Sequence, residues 1–231
     1  MREPRKIVAG VSLGTIPILR RNVIESHASW QLLYVCERVA ALVLLAVLLP
    51  FLLAIALLIW IRSGRTPLIA HRRIGRHGVT LWMLKLRTMW GRNGRAQNVR
   101  GLVERISDEI GPERKLENDP RVPGRFPRFL RRHSIDELPQ LWHVLSGEMS
   151  LVGPRPVTRR ELHKYYGAHA DEVLRLRPGI AGLWQISGRN RLSYADRRRL
   201  DLEFVRNRSL AMYARILFRT VPEVLRGQNS W

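Results

Sequence analysis

From Val39 to Ile61 the chain runs for 23 residues without a charged or strongly polar side chain. At about 1.5 Å of rise per residue this is roughly 34 Å of helix, enough to cross a hydrocarbon core of about 30 Å. The run lies too deep in the sequence and is too long for a signal peptide, and no small-residue cleavage site follows it, so it predicts a membrane helix kept in the mature protein. Pro50 stands at its centre, with eleven apolar residues on either side. An interior proline removes one helical hydrogen bond and bends the helix, leaving two arms of about 16 Å each, roughly the depth from one surface to the bilayer midplane. Arg38 precedes the run and Arg62 and Arg65 follow it. With basic flanks at both ends, the positive-inside rule selects neither a spanning helix nor one that enters and leaves by the same face.

Residues 1–34 mix apolar and basic positions with Gly and Pro and read as a lead-in without a catalytic signal. The expected organisation is this lead-in, a membrane helix over 35–62 kinked at Pro50, and a catalytic domain over 63–231. Pro67 to Ala70 and Val79 to Leu86 predict two short strands around a turn at His77-Gly78. Met89 to Asn118 is polar and reads as a loop, with a weak helical pattern at Leu102 to Ile110. Beyond Phe126 the pattern is one of short helices broken by Pro and Gly, at Pro139 to Leu145, Arg159 to Tyr166 and Ala170 to Leu176. Arg197 to Leu225 reads as a single longer amphipathic helix, its apolar positions Leu200, Phe204, Met212, Ile216 and Leu217 interspersed with arginine. Such a helix either covers the core or lies in the headgroup plane. The fold class these elements predict is α+β, mostly helical, with a re-entrant or spanning N-terminal membrane helix, a small β element and interfacial amphipathic helices.

Charge narrows the function classes. Lys and Arg number 40 against 19 Asp and Glu, a formal net charge of +21. Most of the cations are arginine, which forks onto phosphate with paired hydrogen bonds. The first 38 residues hold six Lys or Arg and three Glu, so the excess belongs to the C-terminal part. Phosphate is the expected partner, whether in nucleic acid, lipid headgroups or a nucleotide sugar. Cys36 is the single cysteine, which excludes an intramolecular disulfide and a cysteine-rich zinc site. No helix-turn-helix, zinc or RNA-recognition signature accompanies the charge, so no nucleic acid partner is expected.

Amid the arginines stands one pair of adjacent carboxylates, Asp136 and Glu137, in the stretch from Phe129 to Pro156. Ser134-Ile135-Asp136-Glu137 fits a capping box, but that would put Pro139 at the fifth helical position, where a missing donor and a ring are costly. A helix starting near Pro139 is favoured, with both carboxylates in the preceding turn, where unpaired amides and nearby Arg131 and Arg132 keep an aspartate ionised. Neighbouring carboxylates point in different directions, so one can attack phosphorus while the other holds a hard cation through oxygen.

Several blocks, in order, carry a resemblance. They are Lys85-Leu86-Arg87-Thr88-Met89, Arg131 five residues before Asp136, the Asp-Glu pair, Gly153-Pro154-Arg155-Pro156, and the stretch from Arg177 to Arg189. Together they resemble the bacterial sugar transferases, the monotopic phosphoglycosyl transferases, from about Arg38 to Arg226. The resemblance implies transfer of a sugar 1-phosphate from a UDP-sugar to a polyprenyl phosphate at the cytoplasmic face of the bacterial inner membrane, opening the assembly of a cell-surface glycan. It implies Asp136 as nucleophile, Glu137 as ligand of Mg²⁺, and Lys85, Arg87, Arg131, Arg155, Pro156 and Arg189 as substrate contacts. It also favours the re-entrant form of the membrane helix. Departures from the family pattern are Leu49 where serine is usual before the proline, His71 for glutamine, His143 for asparagine, Ala181 for threonine, and Pro127 for glycine in a stretch from Asp119 to Arg128 that is one residue longer than the common pattern. A membrane-tethered nucleic-acid binder and a protein that only recruits other enzymes are the competing classes, and magnesium-dependent turnover separates the recruiting protein from the sugar-phosphate transferase.

Overall fold

The computed structural model describes residues 26–90, 102–107, 122, 124–188 and 192–226. Helix α1 runs from His27 to Ser63, longer at both ends than the apolar run, so residues 27–34 belong to it and not to a loose lead-in. Ser26 caps it, its hydroxyl accepting from Ser29 N–H at 3.2 Å, and Gly64 ends it in the left-handed conformation at φ 66°. The helix passes through Pro50 without ending.

One stripe of α1 faces the rest of the protein. Trp30, Glu37, Ala41, Ile55 and Ile59 are buried, and Leu45, Leu48 and Leu52 between them pack against the same clusters. Steps of three, four and seven residues keep this stripe on a single face. Trp30 joins Phe204, Tyr213 and Ile216, Ala41 joins Leu81, Met83 and Val144, and Ile55 and Ile59 join Leu86 and Leu130. Both arms, before and after Pro50, therefore rest on the same domain. The other face is apolar and exposed, including Val39, Leu42, Val47, Leu53, Leu57 and Ile61, a face that only an apolar medium or partner matches.

Glu37 is the exception on the buried stripe, 3% exposed on a helix of aliphatic residues. Its carboxylate accepts from Ser150 Oγ at 2.6 Å, from Leu151 N–H at 2.7 Å, and from the Tyr213 hydroxyl. Burial, then the charge of Glu37, raises the Tyr213 phenol above its usual value.

Strands β1 (Leu68–Ile74) and β2 (Thr80–Leu86) form the expected hairpin around His77 and Gly78, with Leu68 opposite Leu86 and Ile74 opposite Thr80. His77 takes a left-handed φ of 57° in this turn. The weak helix expected at Leu102 is instead strand β3 (Val103–Ile106), parallel to β1. Pairing to a free sheet edge overrides a faint local helical pattern, and Val103 and Ile106 suit a strand. The sheet order is β2-β1-β3, so among the described residues β2 keeps an open edge.

After α2 (Arg125–Arg132) the chain turns through Ser134 at φ 54°, makes a 3₁₀ turn over Ile135–Gln140, and enters α3 (Leu141–Ser146). Ser134 makes no capping hydrogen bond, so the capping box that Pro139 argued against is not formed. Strand β4 (Ser150–Val152) pairs in parallel with β5 (Gly179–Ala181), an element without a visible sequence pattern. It depends on backbones in direct contact: a Cβ at Gly179 would strike the Gly153 backbone, and one at Gly153 would strike Arg177 O and Gly179. The glycines of two separate sequence blocks are therefore needed for the same close approach.

Between these strands lie α4 (Arg159–Glu161), continued by a π turn over Leu162–Tyr166, and α5 (Ala170–Val173); α6 (Leu183–Ile186) follows β5. The single amphipathic helix expected from Arg197 to Leu225 is two helices, α7 (Tyr194–Asn207) and α8 (Leu210–Arg226). The break is at Arg208, whose ψ of 136° is extended, and the Ser209 hydroxyl accepts from Met212 N–H at 3.1 Å, capping the new helix. The result is the mostly helical α+β architecture anticipated, with one long apolar helix and two small sheets among the described residues.

Glu37→Ala strands a buried hydroxyl, an amide and a phenol at once. It should lower the stability of detergent-purified protein by about 3 kcal/mol or more, and Glu37→Gln by less, as denaturant unfolding measures.

Candidate active site

Asp136 and Glu137 are held by the 3₁₀ turn that packs along β2. Asp136 is 9% exposed. Glu137 Oε1 lies 2.7 Å from Lys85 Nζ, with the two side chains 25% and 19% exposed. Since α3 has only six residues, its dipole adds little, and Lys85 supplies the nearby positive charge expected from the helix end.

Helix α3, which follows the turn, is fastened to β2 by one of the residues that depart from the family pattern. His143 Nε2 accepts the Leu84 N–H at 3.1 Å, on the open edge of the sheet, so its Nδ1 carries the proton and donates to Glu148 Oε2 at 2.7 Å. Leu84 neighbours Lys85, so the bond that satisfies the strand edge also sets the lysine beside the carboxylate pair. Ile135, next to Asp136, packs against the cluster containing Ile55 and Ile59 of α1. The carboxylates thus sit one residue from the second arm of the apolar helix.

The remaining candidates fall in different places. Arg87 is 4% exposed and binds the sheet together: its Nε donates to Thr66 O at 2.7 Å and its guanidinium pairs with Glu104 of β3. Arg131 is half-buried on α2, three residues before Ser134, whose N–H donates to Arg131 O at 3.2 Å. Arg155 and the half-buried Pro156 follow β4. Arg189 lies outside the described residues.

Arg155 belongs to a second charged group that the sequence reading did not foresee. Its guanidinium lies over the Trp184 ring at 5.1 Å, and Arg197 lies over the same ring at 5.3 Å. Glu161 accepts from Tyr194 Oη at 3.0 Å. Burial alone would raise the Glu161 carboxyl, but Arg155, the Thr158 amide, Arg73 and Tyr194 outweigh it and hold it below the usual value. Arg197 is lowered by burial and then by Arg155. Beneath them Asp201, 1% exposed, accepts from Arg155 N–H at 3.3 Å and from Tyr166 Oη at 2.6 Å. Burial raises Asp201 to about 6 against the opposing effect of these donors and of Arg155. Asp201 was legible in one respect: three residues before buried Phe204, it puts a carboxylate on the inward face of α7.

A magnesium ion is compatible with this donor set. Among the described residues there is no cluster of three His, Cys, Asp or Glu, but magnesium keeps several waters and takes one or two carboxylates together with substrate phosphates. Glu137 can supply one such carboxylate.

The model of the family described as bacterial sugar transferase matches residues 29–227. The chain belongs to that family. It is 43% identical over 192 residues to the exopolysaccharide production protein ExoY of Sinorhizobium fredii, covering 83% of this chain and 84% of that protein. It is 39% identical over 224 residues to a UDP-galactose-lipid carrier transferase of Erwinia amylovora, covering 94% of this chain but 45% of that protein, so it spans about half of this longer relative. A UDP-glucose:undecaprenyl-phosphate glucose-1-phosphate transferase of Caulobacter vibrioides is 37% identical over 207 residues, covering 85% of this chain and 71% of that protein. The family match spans both charged groups and α1 from Ser29 onward.

Asp201 binds its proton more tightly in the folded protein, at about 6, than at the ordinary 3.8. Its contribution to stability is therefore complete below about pH 4 and is lost as the pH rises through about 6. Asp201→Asn removes this dependence. Between about pH 4 and pH 7 the wild type should lose several degrees of melting temperature that the variant keeps, as thermal unfolding at each pH measures.

Proposed function

We propose that this family member transfers a sugar 1-phosphate from a UDP-sugar to undecaprenyl phosphate and so initiates exopolysaccharide or capsule assembly. One observation supports this most strongly: the Asp136–Glu137 pair, beside Lys85, lies one residue from Ile135, which packs on the apolar helix. A carboxylate at that position faces a water-soluble nucleotide sugar from the domain side and a lipid phosphate from the membrane side.

In the first step an Asp136 oxygen attacks the β-phosphorus of the UDP-sugar. The bond from that phosphorus to the bridging oxygen breaks, and UMP leaves with the electron pair. In the second step an oxygen of the polyprenyl phosphate attacks the same phosphorus, the acyl–phosphate bond breaks, and the Asp136 carboxylate is restored with a polyprenyl diphosphate sugar as product. Glu137 would hold Mg²⁺, which when bound offsets the phosphate charge that repels an anionic nucleophile. Lys85 fixes the orientation of Glu137 and adds a cation to the phosphate site. Arg131, Arg155, Pro156 and Arg189 are assigned to substrate binding by their family blocks, and Arg87 is assigned to shaping the sheet end from which Lys85 projects.

The same reading places the catalytic domain on the cytoplasmic face of the inner membrane, with α1 entering and leaving by that face. Both arms of α1 rest on one domain, from Trp30 to Ile59, and a crossing helix would have to part from it along one arm. Cysteines at Ser26 and at Gly94, with Cys36 replaced, should both escape a membrane-impermeant thiol reagent applied to intact cells; labelling of the Ser26 site alone would mean a spanning helix.

Asp136→Asn should reduce turnover by at least about a thousandfold while folding and membrane association survive, because the attacking oxygen is lost with little change of volume. Glu137→Gln and a chelator should each suppress turnover, with partial rescue of the variant by excess magnesium. The nucleotide product decides the mechanism: UMP is expected, at about one per active site in the absence of lipid acceptor, whereas UDP would mean cleavage of the sugar–oxygen bond and overturn it.

A further inference from the structure

Just ahead of its apolar run, α1 meets a group of arginines that neither the transfer chemistry nor the carboxylate pair uses. Arg177 lies over the Tyr34 ring at 4.6 Å and Arg208 over the Trp30 ring at 4.5 Å, and Arg208 Nη1 donates to Tyr34 Oη at 3.5 Å. These four side chains, with Ser150 and Phe204, line one crevice between α1, β4 and the α7–α8 junction. Arg38 extends one turn further along α1, where its guanidinium covers Gly147. Arg76 reaches the same region, its Nε donating to Arg175 O at 3.0 Å.

The charges there do not balance. Among the described residues none of Arg38, Arg76, Arg177 or Arg208 has an ion pair. Glu37, whose field reaches Arg177, already accepts from Ser150, Leu151 and Tyr213. Burial, and the repulsion of Arg38 and Arg76, hold the Arg177 guanidinium below its usual value, with Tyr34 and Glu37 opposing. Converging guanidiniums with no carboxylate partner favour an anion. Position says which anion. Trp30, Tyr34 and Arg38 are the last aromatic and basic residues before the apolar run, at the depth where headgroups lie, and the exposed Val35 and Val39 (55% and 57%) lead from them into the bilayer face.

We infer that this crevice binds the phosphate headgroup of an anionic membrane phospholipid. It is separate from the acceptor lipid's site. On the hairpin, Lys85 pairs with Ile69 and Thr80 with Ile74, so the turn that carries Arg76 is roughly 17 Å or more from Lys85. Along α1, the 18 residues from Glu37 to Ile55 are roughly 27 Å, with the arginines at the first and the carboxylate pair near the second. A lipid held here fixes the first arm of α1 to the leaflet while the second arm serves the transfer site.

Native mass spectrometry of the detergent-purified chain, titrated with phosphatidylglycerol or phosphatidylcholine, tests the inference. The wild type should retain phosphatidylglycerol in preference. Arg177→Gln/Arg208→Gln should weaken that binding roughly tenfold or more, while Arg160→Gln/Arg199→Gln, which removes the same charge from exposed positions on α4 and α7, should leave it nearly unchanged. Turnover in detergent with saturating acceptor should be the same in all three. Excess undecaprenyl phosphate should not displace the bound phosphatidylglycerol. Equal retention of the two phospholipids by the wild type overturns the inference, and this comparison stands even if the first double variant fails to fold. Equal weakening in both double variants, or displacement by undecaprenyl phosphate, overturns it as well, by showing general charge attraction or the acceptor's own site.

Discussion

A single buried carboxylate ties the membrane helix to the rest of the protein. Glu37 accepts hydrogen bonds from a β4 hydroxyl, a β4 amide and an α8 phenol, and so fixes a helix whose other contacts with the domain are largely aliphatic. Aliphatic packing is non-directional, so a helix held by it alone can slide or rotate along its groove. Removing an acceptor that serves three buried donors is costly. This sets the rotation of α1, which decides the face presented to lipid and brings Ile55 and Ile59 against Ile135 beside Asp136.

A comparable economy governs the second charged group. The Gly153–Gly179 contact brings two sequence-distant blocks into one short parallel sheet, and Asp201 holds the Arg155 amide at the end of it. The arginines of this protein therefore do different work at similar apparent prominence. Arg87 closes a sheet end against Glu104, Arg155 and Arg197 share the Trp184 ring, and Arg177 and Arg208 flank Tyr34. Composition alone predicts phosphate as their common partner, and only their surroundings separate a structural cation from one that faces a ligand.

Much of the architecture followed from patterns with a strong local cause. The apolar run, the β1–β2 hairpin, the unfavoured capping box and the short helices after Phe126 are set by hydropathy, turn residues and proline, which act over a few neighbours. The carboxylate pair was conspicuous because it interrupts a basic stretch. Where the reading failed, the local signal was weak or misleading: β3 took the place of a faint helix because an open sheet edge was available, and α7 and α8 divide at Arg208 because Ser209 offers a cap that the amphipathic pattern masks.

By itself, then, the sequence determined that a long apolar helix would precede a basic, mostly helical domain, that Asp136 and Glu137 would stand together in a turn, and that phosphate would be the chemistry served. The tertiary structure decided which cation stands beside Glu137, that His143 would satisfy the free edge of β2, that Asp201 would lie beneath Arg155, and that Arg177 and Arg208 would meet Trp30 and Tyr34 across more than a hundred residues of chain. The physical reason is one of range. Helix, turn and hydropathy signals are properties of neighbouring residues, whereas a hydrogen bond or a stacked guanidinium between distant segments depends on how the core packs, and no local pattern encodes that distance.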